Sequence, residues 1–144
     1  MTCNILLLLI AAALMLGQSH GQDFGNRDTD FRISIVERTE FPPGLEARIE
    51  TTTRYSCEGY TIRSQVSWQR DSISITIDGF LRPSPCFSTM SRATGTVYLG
   101  SIGDGTYILG IRYRGDEDFY RLILKDGRPA IDTLHATFTG ITWE

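Results

Sequence analysis

A chain of 144 residues with a net charge of −3 at pH 7 holds one ordinary domain once any targeting segment is set aside, and excludes a large multidomain enzyme. Its 14 basic and 17 acidic residues are interspersed, so no basic stripe points at nucleic acid or an anionic membrane. Three cysteines and two histidines leave little material for a metal centre or a nucleophile and base pair.

The one long apolar run is Ile5 to Leu16, followed at once by Gln18, Ser19 and His20. It is shorter than the roughly 20 residues a bilayer span needs, and its length and position fit the apolar region of a secretory signal peptide. Cleavage is expected after Gly21, with Ser19 as the alternative, giving a signal peptide over 1–21 and Gln22 as the first mature residue. No Lys or Arg precedes the run, which weakens the orienting signal. An uncleaved anchor is the competing reading. No later stretch is apolar enough to insert in a membrane, so the product is expected outside the cell, or in the periplasm of a bacterium. Export removes Cys3 and leaves Cys57 and Cys86 in an oxidising compartment, where they are expected to pair. The mature chain is then read as a flexible N-terminus, 22–30, and a single domain, 31–144. Neither asparagine begins a glycosylation sequon.

Alternation of apolar and polar residues dominates the mature chain. Phe31, Ile33 and Ile35 share a face of a first strand, ended by Phe41-Pro42-Pro43-Gly44. Leu45 to Cys57 alternates throughout, with odd positions on one face. Tyr60, Ile62, Val66 and Trp68 mark a third strand, Ile73, Ile75 and Ile77 a fourth, and Val97 with Leu99 a fifth. Tyr107 to Tyr113 and Tyr120 to Leu124 make a sixth and a seventh, and Ile131 to Trp143 an eighth. Gly103-Asp104-Gly105, Gly115-Asp116 and Asp126-Gly127 supply turns between them. No window shows a helical repeat. The pattern predicts an all-β fold: an antiparallel β-sandwich of about seven or eight strands, broadly immunoglobulin-like, with a small closed β-barrel as the alternative. The likeness to immunoglobulins is architectural only. Cys57, Trp68 and Cys86 stand in the antibody order, but the cysteines are too close together and Ser84 replaces the tyrosine that precedes the second one. The Gly-x-Trp motif of lipocalins is absent.

Catalytic, metal and cofactor motifs do not emerge. His135 lacks a nucleophile elbow to serve and reads as a strand-surface residue. Asp116, Glu117 and Asp118 at one turn and Asp104 at another are calcium-type ligands in kind, but successive turns put them at opposite ends of a hairpin, and they read as solvated turn carboxylates. Two features concern a protein partner. Arg114-Gly115-Asp116 matches the integrin-recognition tripeptide and falls at a hairpin turn. Arg82-Pro83-Ser84-Pro85-Cys86-Phe87 is a proline-stiffened segment tied by the disulfide, the form taken by rigid binding and protease-inhibitor loops. The expected function is a secreted, non-enzymatic binding or structural module with a protein partner and no cofactor. A protease inhibitor, a carrier of small apolar ligands and integrin-type adhesion are the alternatives.

Overall fold

The structure is a computed structural model that describes residues 30–126 and 128–144. The expected signal peptide, 1–21, and the segment 22–30 apart from Asp30 lie outside the described residues. Nine strands follow in chain order: β1 Phe31–Arg38, β2 Gly44–Tyr55, β3 Thr61–Gln69, β4 Ser72–Leu81, β5 Ser91–Gly100, β6 Gly105–Tyr113, β7 Asp116–Lys125, β8 Arg128–His135 and β9 Thr139–Trp143.

All nine belong to one sheet in the order β8-β7-β6-β4-β3-β5-β2-β1-β9. The sheet curls until its first and last strands, β8 and β9, run alongside each other, and no hydrogen-bonded ladder joins them among the described residues. The all-β expectation holds, in its barrel form: one rolled sheet stands where the sandwich reading placed two. Nor is the sheet antiparallel throughout, because β1 with β9, β3 with β5 and β4 with β6 are parallel neighbours. The expected eighth strand divides into β8 and β9, which separate at 136–138 and pair with opposite ends of the sheet.

The core explains the curl. Each strand has one apolar face, and rolling a single sheet lets all of those faces meet. Ile33, Ile35, Ala47, Ile49, Ile73, Ile75, Leu109, Ile111, Tyr120 and Leu122 are each no more than 1% exposed and belong to one contiguous cluster. Burying a side chain of this size stabilises the fold by about 1.5–3 kcal/mol before entropy is counted. The odd-numbered face of the second strand behaves as its alternation predicts, with Leu45, Ala47, Ile49, Thr51, Tyr55 and Cys57 buried. Thr53 is the exception, and it sits where the β2–β5 pairing slips between Glu50 and Arg54. A second slip, between Arg63 and Ser64, inserts Asp78 into β4 opposite no partner. Such a bulge reverses the facing of everything beyond it. Ile77 and then Phe80, rather than Gly79, therefore contribute to the core.

Parallel neighbours cannot be joined by hairpins, and the chain solves this with connections that cross. At the end of the barrel where β2 and β4 finish, the β2–β3 link passes β5, while the β4–β5 link passes β3. On that strand order the two links interleave, so one must run over the other, an arrangement that sheets usually avoid. The Cys57–Cys86 disulfide, with Cα atoms 5.2 Å apart, ties the two links together.

Closure depends on one acid. Asp118 on β7 points inward with Tyr120 and Leu122 and has no exposed surface, so it is not the solvated turn carboxylate its sequence neighbours suggest. Its Oδ1 accepts hydrogen bonds from the Thr137 amide (2.7 Å) and hydroxyl (2.8 Å). Its Oδ2 accepts from the Phe138 and Thr139 amides (3.0 and 2.8 Å) and the Thr139 hydroxyl (2.6 Å). Because the Thr139 hydroxyl gives its proton to Asp118, the Tyr120 hydroxyl shares its single proton between the Thr139 carbonyl (2.8 Å) and Oγ1 (2.7 Å). The β8–β9 connection is thus held on β7, and β9 is delivered to β1.

Burial alone pushes the Asp118 carboxyl up, but the bonds from Thr139, Phe138 and Thr137 outweigh it and hold the group below its ordinary 3.8. A carboxyl lowered in the folded state adds stability above its unfolded pKa and loses it as pH falls through the folded value. The unfolding midpoint should therefore drop on acidification below about pH 4. Asp118→Ala, which strands five donors, should cost about 3–4 kcal/mol at neutral pH and blunt that acid dependence, as measured by denaturant unfolding across the pH range.

Candidate functional site

Both segments singled out in the sequence sit at the disulfide end of the barrel. Strand direction requires this: the β4–β5 connection (82–90) and the β6–β7 turn leave β4 and β6, which are parallel neighbours and so finish together. Phe80 near the end of β4 and Tyr113 at the end of β6 link the two, packed edge-on with ring centroids 6.4 Å apart.

The connection is fixed at several points besides the disulfide. The Phe87 carbonyl accepts hydrogen bonds from the Glu58 amide (3.3 Å) and the Thr89 amide (2.7 Å). The Ser91 hydroxyl donates to the Cys57 carbonyl (3.2 Å). Gly59 of the β2–β3 link lies under Pro83, close enough that an added Cβ would stand 3.6 Å from the proline ring. Arg82, Ser84, Pro85, Cys86 and Phe87 face solvent, and Pro83 is half-buried. The apolar side chains here are conspicuous: Leu81, Phe87 and Met90 are 49%, 65% and 57% exposed.

Arg114-Gly115 forms a two-residue hairpin turn between the paired residues Tyr113 and Asp116, with φ of 52° at Arg114 and 92° at Gly115. Two successive left-handed residues match the twist of the flanking strands. Gly takes such a φ without cost, whereas Arg does so against its Cβ. Arg114, Gly115 and Asp116 are all exposed, but the arginine is not extended from the tip. Its guanidinium lies 5.2 Å from the centroid of the Tyr113 ring.

Beneath these loops lies a collar of six aromatic rings that sequence reading did not assemble: Phe31, Tyr55, Tyr60, Phe80, Tyr113 and Phe138. Phe31 meets Tyr113 edge-on at 4.9 Å, and Tyr55 packs against Tyr60 at 4.8 Å and Phe80 at 5.8 Å. Burial raises the Tyr55 hydroxyl to about 12, and burial likewise pushes Tyr113 up. Asp30, at the mouth of the collar, is pushed up by burial and by Asp116, against the opposing pull of Arg114. The cleft between Asp30, Phe31, Thr51, Tyr55, Phe80 and Tyr113 has a volume of about 10 Å³, room for about one water. The only foretaste of the collar in the sequence is that a ring stands at or near the same end of six strands, which becomes meaningful once strand order is known.

Other candidates are dispersed. Asp104 lies at the opposite end of the barrel, accepting the Asp126 amide at 3.2 Å, while Asp116 is at the disulfide end. His135 is exposed at the end of β8, paired in register with Phe119. Among the described residues no three acidic, histidine or cysteine side chains converge as metal ligands.

No family model matches the chain, and no curated protein or solved structure matches it either.

Loss of the disulfide should be felt through the unfolded state, because Cys57 and Cys86 are 29 residues apart. Replacing both with serine should lower stability by about 3–4 kcal/mol in the chain-entropy picture, measured by thermal or denaturant unfolding, and should release the 82–90 connection to rapid amide exchange. Unchanged exchange there would show that the hydrogen bonds to Phe87 suffice.

Proposed function

We propose that the protein is a secreted, non-enzymatic binding module that engages a protein partner through the disulfide end of its barrel. One observation carries the reading: Phe87 and Met90 are held out to solvent on a connection tied by a disulfide and by backbone hydrogen bonds, beside the equally exposed Leu81 at the end of β4. Apolar side chains on a constrained loop suit partner binding, because ordering costs are met before the encounter and burial of the side chains drives it. The bridge fits an oxidising compartment. Among the described residues the inward side chains form one contiguous apolar cluster, which supports a packed core over a cargo site.

A protease inhibitor is the second reading, favoured by the fixed, exposed Arg82 to Phe87 segment with the Phe87 carbonyl pinned beneath it. Adhesion through Arg114-Gly115-Asp116 is less well served, since Arg114 folds onto Tyr113.

The test begins with protein recovered from the medium of producing cells, whose mass should start at Gln22 and lack two hydrogens. Binding to candidate cell-surface proteins and to a protease panel is then compared among variants. Phe87→Ser with Met90→Ser should weaken partner binding about tenfold or more, with unfolding unchanged. Arg114→Asn suits the left-handed turn better than arginine does and should raise stability by about 0.5 kcal/mol. Binding should survive it, whereas integrin-type adhesion would be lost. Retention of binding by the Phe87 and Met90 variant, or a hydrolytic activity abolished by His135→Ala, would refute the proposal.

A further inference from the structure

Away from the disulfide end, on the outer face of the barrel, register lines up one residue from each of four neighbouring strands. Ser67 of β3 pairs with Ser74 of β4, Ser74 with Gly110 of β6, and Gly110 with Phe119 of β7. On β4, β6 and β7 the flanking side chains Ile73, Ile75, Leu109, Ile111 and Tyr120 are in the core, so the row lies on the outer face, with Gly110 covered at its floor. Three small residues side by side leave a trough running across the strands for about 10 Å, with a volume of about 190 Å³. Gln69, Ser72 and Ile108 bound it on one side, Arg112 and Glu117 on the other, and Phe119 closes one end.

Gly110 is what lets the far wall lean in. A Cβ there would stand 3.3 Å from Glu117 Oε1 and 3.6 Å from the Phe119 ring. Arg112 Nε donates to Glu117 Oε1 at 2.7 Å. The pair cancels its own charge yet keeps further guanidinium donors and a second carboxylate oxygen. Gln69, Ser67 and Ser72 add neutral donors and acceptors that are exposed, while the Ser74 hydroxyl is covered and serves only as floor.

A neutral trough with paired donors and acceptors on its walls and an aromatic ring at one end suits a ligand dense in hydroxyls that also offers flat C–H faces. We propose that it binds a neutral oligosaccharide, with Phe119 against the C–H face of one sugar and Gln69, Arg112 and Glu117 on its hydroxyls. An anionic ligand is disfavoured because Glu117 already neutralises Arg112. An apolar peptide would leave the polar walls unpaired.

Calorimetric titration of the full mature protein tests this with short chito-, cello- and manno-oligosaccharides, and with a sulfated oligosaccharide as the charged arm. At least one neutral sugar should bind. Gly110→Thr fills the trough with a strand-compatible side chain, and it and Phe119→Ser should each weaken that binding about tenfold or more. Phe87→Ser, at the disulfide end, should leave it unchanged. If Gly110→Thr lowers the unfolding midpoint, Ser67→Gln at an exposed strand position replaces it as the filling variant. Binding of the sulfated arm alone, no binding by any neutral sugar, or full binding by a folded filled variant overturns the proposal.

Discussion

The fold rests on the satisfaction of one carboxylate, Asp118, the one fully buried among the described residues. A charged Asp118 inside the barrel would be prohibitive if left alone, and the chain answers it with five donors from three consecutive residues, Thr137, Phe138 and Thr139. Those donors lie where β8 must turn and β9 begin. Meeting the demand of the acid therefore also sets the path of the chain. Tyr120 adds its hydroxyl to the same turn. β8 and β9 run alongside each other but pair with different strands, β8 with β7 and β9 with β1.

Closure in turn permits a core with only one sheet. Strand faces that alternate cleanly, as from Leu45 to Ile49 and from Tyr107 to Tyr113, were legible because period two survives translation into a pleated strand. What alternation does not carry is partnership. A strand reads the same whether its neighbour is parallel or antiparallel, and whether the faces meet across two sheets or around one. The parallel pairs β4 with β6 and β1 with β9 are set by contacts distant in sequence, so the sandwich and the barrel looked alike beforehand. The bulge at Asp78 was hidden for a related reason: it is a property of a pair of strands rather than of either one.

The candidate sites were legible to different depths. Setting Cys3 aside with the expected signal peptide was enough to pair Cys57 with Cys86, and local turn chemistry was enough to place Gly115 in a turn. The aromatic collar and the outer trough depend on strand order, and no local pattern in Ser67, Ser74, Gly110 and Phe119 announces a row. Asp118 was misjudged because three consecutive acids look like a solvated turn. Yet alternation from Tyr120 backwards already turned Asp118 inward, so parity was the better guide than charge.

The pairing of β1 with β9 has a temporal meaning. Ser34 and Glu144, joined by a hydrogen bond at 2.7 Å, are 110 positions apart in the chain, and the Glu144 amide also reaches the Ile35 carbonyl at 3.0 Å. Contacts this distant make for slow folding, since the ends must be brought together before the pairing rewards it. Until its last residues are available, the chain holds a sheet whose β1 edge is bare, and that edge is the place where two incomplete copies would find each other.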